Sequence, residues 1–244
     1  MKLAIRYYLY NVRNSLLIAF GVVTGILLSS GLFLHFNQKE NTDYSISGFE
    51  ITCIIFTLVT GLVAFREYFR FFQQNGISRK SQFVGWTTAL TALCAGEAAI
   101  CLLAGRVFSL FVHYVSMFSQ LYADEFFYPN PVFFAAQEFF WIFAICLMMG
   151  SAGFAITLLY YRLSKIGKLL VSVLVPGTLF ILLPMADQPL LHGGYTWLLK
   201  QIMILATGHT ETGVFLWIPI TTALVCSVLC LLAAWGMMRR AEVK

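Results

Sequence analysis

The feature that most constrains this chain is a set of long apolar runs, at about residues 15–36, 49–65, 83–105, 134–161, 169–186 and 214–238. A helix needs about 20 such residues to cross the hydrocarbon core of a bilayer. Inside lipid each backbone N–H and C=O must be satisfied within the segment itself. Continuous runs therefore imply helices, whereas barrel strands would alternate. The second run is short if it stops before Arg66, and the fifth carries Pro176 and Pro184, which bend or end a helix. Composition agrees with this reading: 59% of the 244 residues are apolar and 11% charged, against about half and a quarter in soluble domains. Six spans use roughly 120 residues, leaving short loops and no room for a nucleotide-hydrolysing domain of about 200 residues. The expected fold is an all-α polytopic membrane protein, a single transmembrane domain over residues 1–244.

The 16 Lys and Arg exceed the 11 Asp and Glu by five. Position along the chain gives that excess its meaning, and no nucleic-acid partner is implied. Thirteen of the basic residues fall in four clusters: Lys2, Arg6 and Arg13; Arg66, Arg70, Arg79 and Lys80; Arg162, Lys165 and Lys168; Arg239, Arg240 and Lys244. Six spans put all four on one side, which the positive-inside bias assigns to the cytoplasm, both termini included. Glu40, Asp43, Asp124, Glu125, Asp187 and Glu211 then fall in the opposite loops. An odd number of spans would scramble both sets. The first run exceeds the 7–15 residues, roughly, of a signal-peptide core, so it is read as a retained span.

No HExxH or P-loop occurs, and the four His, at 35, 113, 192 and 209, are scattered. The chain is therefore read as carrying no catalytic site. Cys53, Cys94, Cys101, Cys146, Cys226 and Cys230 all lie in the apolar runs without ligand spacing, implying neither a disulfide framework nor a metal site. Gly150-Ser151-Ala152-Gly153, and the GxxxG of Gly21 and Gly25, read as small-residue surfaces where helices approach closely, within the chain or across a dimer. Glu97 is the one ionisable residue deep in a run, about 21 Å past Phe83 at 1.5 Å per residue. A carboxylate there costs about 2.5–3.5 kcal/mol. It should face protein or water, either on a translocation pathway or as a structural staple between helices.

Residues 1–14 space Arg6 and Arg13 around Leu3, Ile5, Tyr8, Leu9 and Val12. They read as an interfacial helix, or alternatively as an extension of the first span. In the 66–82 loop, Arg66, Arg70, Gln73 and Gln74 interleave with Tyr68, Phe69, Phe71 and Phe72, an amphipathic continuation of the second span. Asn75-Gly76 supplies a helix stop, and Ser78 or Ser81 a cap for the next helix. Taken alone, this pattern also describes a solvated hairpin whose charges set topology. Residues 187–213 enclose YTWLLKQIMILA, too short to span, which fits either a re-entrant helix from the outer face or one resting on the outer leaflet.

The interfacial N-terminus, six spans with both ends inside, the short turn Gln74-Asn75-Gly76-Ile77-Ser78-Arg79 and the apolar loop before the last span together resemble the type-2 ABC exporter permease family. The resemblance covers the whole chain as topology, while its local motif is short. It implies a bacterial cytoplasmic-membrane permease subunit paired with a second permease, identical or related. A separate ABC ATP-binding subunit would hold ATP and Mg, and this chain no cofactor. The coupling element of that family would be residues 66–80, namely Arg66, Arg70, Gln74, Asn75, Gly76, Ile77, Ser78 and Arg79, with the Arg162–Lys168 loop as a secondary contact. The cargo expected between Phe-, Leu- and Ile-rich helices is an amphipathic, peptide or lipid-like molecule. A membrane sensor or immunity protein that binds a partner or toxin without ATP would share the topology, and it is the alternative reading.

Overall fold

The computed structural model describes residues 2–36, 47–110, 114–122, 131–187, 192–210 and 213–240. Nearly all of them are helical: α1 (Lys2–Phe36), α2 (Phe49–Gln74), α3 (Arg79–Phe108), α4 (Met117–Tyr122), α5 (Pro131–Arg162), α6 (Lys165–Gly177), a π-helical turn (Thr178–Leu182), α7 (Leu183–Asp187), α8 (Gly194–Thr207) and α9 (Trp217–Arg239). Between α8 and α9 lies a two-rung antiparallel hairpin, His209–Thr210 with Gly213–Val214. Among the described residues five stretches are long and apolar enough to cross a membrane: Ile5–Ile26, Arg79–Phe108, Pro131–Arg162, Lys165–Asp187 and Trp217–Arg239. Helix α2 adds the shorter apolar stretch Phe49–Phe65 and then continues, as its aromatic sequence anticipates, to Gln74.

Helix α5 is the hub, set against α2 on one side and α9 on another. The α2–α5 contact is close because glycines remove side chains from both surfaces. A Cβ on Gly61 would overlap the Gly150 carbonyl, and one on Gly153 would overlap the Leu58 carbonyl. This is the close approach that the 150–153 sequence anticipates. Gly21 and Gly25 behave differently: nothing lies within 4 Å of a Cβ at either position, and both are exposed. Packing of that GxxxG against the rest of the chain is therefore not what the described residues show.

In two places the sequence left alternatives open, and the described residues take one of them. Helix α1 runs unbroken from Lys2 to Phe36, so no separate helix ends at residue 14. No Gly or Pro interrupts residues 2–20, and nothing in the local sequence opposes continuation. The fifth apolar run passes through both of its prolines without ending. Pro176 removes one helical hydrogen bond, and the backbone widens into the π turn immediately after it. The Thr178 hydroxyl donates back to the Leu174 carbonyl at 2.7 Å.

Candidate functional site

The turn between α2 and α3 is built by its own sequence. Gly76 adopts φ +69°, the left-handed conformation that costs glycine least. Around it the Ile77 N–H donates to the Phe72 carbonyl (2.9 Å) and the Gly76 N–H to the Gln73 carbonyl (3.1 Å). Those two bonds are the Schellman closure of a helix C-terminus, with Ile77 folding back half-buried against the core. Asn75 donates through Nδ2 to the Phe71 carbonyl (2.7 Å). Ser78 is extended (φ −63°, ψ 146°), and its hydroxyl accepts the Ser81 N–H at 3.3 Å, capping α3.

Long-range contacts hold this turn from two sides. From α1, Tyr7 stacks on Phe71 (5.0 Å, 15°), and Tyr8 meets Tyr68 (4.9 Å) and Trp86 (5.3 Å) edge-on. From α9, the Arg239 carbonyl accepts a hydrogen bond from Arg79 Nη1 (2.7 Å), and Trp235 lies 5.1 Å from Phe83. Four helix ends thus meet at one end of the bundle, and Phe69, by its contact with Tyr161 (6.0 Å), brings the end of α5 there as well. Gln74, Asn75, Gly76 and Ser78 are exposed at the tip, and Arg79 is partly covered. Arg66 and Arg70 belong to α2, but their side chains lie outside the described residues. Sequence reasoning missed Tyr7, Tyr8, Trp86 and Arg239. Their aromatic and basic character was visible, their convergence was not.

Glu97 is fully buried among α2, α3 and α5, and it does not face lipid. Its Oε2 accepts a hydrogen bond from the Thr57 hydroxyl of α2, a hydroxyl that also lies 2.7 Å from the Cys53 carbonyl. Oε1 has no partner among the described residues. Cys146 of α5 adjoins the same carboxyl. One turn toward the other end of the bundle, the Cys53 and Cys101 thiols hydrogen-bond across α2 and α3 at 2.8 Å. Among the described residues no group of His, Cys, Asp or Glu is placed to hold a metal ion.

The opposite end is organised around polar side chains. The Tyr114 hydroxyl donates to Glu50 Oε2 (2.9 Å), tying the segment after α3 to the start of α2. Burial, with the Glu50 charge beside it, pushes the Tyr114 phenol well above its usual range. Asp187 accepts from the Tyr195 N–H (2.8 Å), the Thr196 N–H (3.2 Å) and the Thr196 hydroxyl (2.9 Å), and so caps α8 from the end of α7. The Thr222 hydroxyl of α9 donates to the Leu205 carbonyl of α8 (2.8 Å), which folds α8 back along α9. Tyr122 completes this end, donating to the Thr207 carbonyl (2.8 Å) and stacking on His209. Of the 187–213 segment, residues 188–191 and 211–212 lie outside the described residues.

The described residues form a predominantly helical chain with several helices long and apolar enough to cross a membrane, the pattern of a multi-pass membrane protein. Comparison with family models, with curated proteins and with solved structures finds no match to this chain.

Proposed function

We propose that this chain is the transmembrane subunit of an ABC-type exporter, working with a second permease half and with separate ATPase subunits that bind ATP and Mg. The observation that carries the proposal is the α2–α3 turn. It is capped on both sides, exposed at Gln74, Asn75, Gly76 and Ser78, and bonded to α1 and α9. A push on such a turn moves four helices together, because the Schellman closure and the Ser78 cap leave little slack for it to deform locally.

Supporting the six-span, N-in and C-in orientation, the contacts above gather residues beside all four basic clusters at one end of the bundle, the end that the positive-inside bias places in the cytoplasm. The α8–α9 hairpin and its Tyr122 contact would then form part of the outer gate. A second copy or a related chain is supported by the Lys165–Asp187 stretch, of which none of the most apolar window is buried within the chain. The exposed Gly21–Gly25 face is a further surface for that contact. An amphipathic, peptide or lipid-like cargo suits walls with few charges. Glu97 serves such a pathway as a staple joining α2 to α3, or as a polar step along it.

The test is purification of the full chain from its native membrane in mild detergent. An ATPase is expected to co-purify, and the double substitution Gln74→Glu with Lys80→Glu, at two exposed positions, is expected to reduce its recovery about tenfold by making the contact more negative. Purification without any ATPase, together with protection of cells by this chain alone, would instead establish the sensor or immunity reading.

A further inference from the structure

Inside the bundle, where α2, α3 and α5 meet, Thr57, Glu97 and Cys146 are all fully buried. A Cβ on Gly150 of α5 would overlap the Thr57 methyl, so α5 closes over the threonine and keeps its hydroxyl in place. Thr57 has one hydroxyl hydrogen but faces two oxygens, the Cys53 carbonyl at 2.7 Å and Glu97 Oε2. Threonines within these helices give that hydrogen to the carbonyl four residues back, as Thr60, Thr87 and Thr91 do at 2.8, 3.0 and 2.9 Å. If Thr57 gave it to Glu97, the Thr57 and Cys53 oxygens would stand 2.7 Å apart with no hydrogen between them. Oε1 would meanwhile remain buried, with no partner among the described residues. Both contacts are satisfied when the carboxyl carries its own hydrogen, Oε2 donating to Thr57 and Thr57 to Cys53. Oε1 is then the carbonyl oxygen of a neutral acid, which costs less to leave unpartnered than half of a carboxylate.

We propose that Glu97 is a proton-binding site in the closed bundle, its proton held between Oε2 and the Thr57 oxygen. The ionisable groups beside it are thiols: Cys53 from α2, Cys94 from α3 and Cys146 from α5. Among the described residues no basic side chain acts on it. The α2 side chains that lie outside the described residues begin at Arg66, nine residues past Thr57 and so about 13 Å further along the axis. A carboxylate within a bilayer calls for a cation or water beside it. With thiols for neighbours, the bound proton removes the charge instead. Parting α2 from α5 would admit water to Oε1 and favour the ionised form, the proton leaving to that water and the Thr57 hydroxyl turning to donate to Oε2. The Thr57–Glu97 bond thus has two directions, one for each state. By linkage, taking up the proton favours the closed seam to the same extent that closing the seam favours the proton.

Infrared difference spectroscopy of the full chain in nanodiscs at neutral pH reads this proton without any ATPase, so its failure leaves the transporter reading standing and the reverse also holds. Wild type minus Glu97→Gln should show the carbonyl stretch of one protonated carboxyl per chain. Thr57→Val, which keeps the shape of the side chain and removes the acceptor, should move that band to higher frequency, as the loss of a hydrogen bond does. The difference between wild type and Thr57→Val does not involve Glu97→Gln, so the test survives a failure of that variant to assemble. Loss of carboxylate bands alone in Glu97→Gln, or an acid band that Thr57→Val leaves in place, would overturn the proposal.

Discussion

Single atoms decide how near α2 can come to α5. Gly61, Gly150 and Gly153 let backbone meet backbone, so adding one methyl at Gly61 drives a carbon into the Gly150 carbonyl, which cannot rotate away as a side chain would. Gly61→Ala should destabilise the fold by about 1–3 kcal/mol. Gly21→Ala, with nothing near it within the chain, should instead stabilise the helix of the monomeric chain by roughly 0.5–1 kcal/mol. Thermal unfolding of both variants in one detergent checks the contrast, and shifts of the same sign would refute this account of the interface. Ser78 offers a second residue-scale test. Its hydroxyl satisfies one orphan donor of α3, and Ser78→Ala should cost about 1 kcal/mol, with faster amide exchange at Ser81. The residues of this turn were legible in the sequence, because a Schellman closure and a serine cap are local chemistry. Which glycines pack was legible only for 150–153; Gly61 has no partner glycine near it in sequence, and Gly21 and Gly25 show the right spacing with no neighbour.

At the scale of elements, α8 depends on a residue outside itself. Gly193 precedes it and offers no side-chain cap, so its first amide hydrogens point at the carboxylate of Asp187. Asp187→Ala should fray the first turn of α8 by leaving its first amide hydrogens without this acceptor. Hydrogen exchange at Tyr195 and Thr196 should rise by an order of magnitude or so while exchange in α9 is unchanged. The π turn after Pro176 shows the same non-local logic: the Tyr195 hydroxyl donates to the Leu179 carbonyl at 2.7 Å inside that turn. The apolar runs predicted a helix at 169–186 and a short one within 187–213, and both are present. That the first passes both prolines, and that an aspartate at its end caps the second, depends on chain segments meeting in space.

For the whole molecule, the Arg79–Arg239 bond joins the start of α3 to the last turn of α9, 160 residues away in sequence. Arg79→Ala should lower the stability of the assembled bundle by about 1.5–3 kcal/mol, the range for hydrogen bonds to charged groups. Arg79→Lys should recover part of it. Orientation has its own test: a thiol-reactive probe unable to cross membranes should label Asn75→Cys in inverted vesicles and not in intact cells, on a background freed of native cysteines.

By itself, the sequence determined that this chain would be helical and membrane-embedded. It also located the ends of most helices, because hydrophobic run length, glycine stops and serine caps act over a few residues and need no partner. Only the tertiary structure decided that α5 is the hub, that Glu97 meets Thr57, and that Arg79 reaches the Arg239 carbonyl. Each of these depends on side chains far apart in sequence competing for the same few ångströms of space, and one-dimensional periodicity does not encode that outcome.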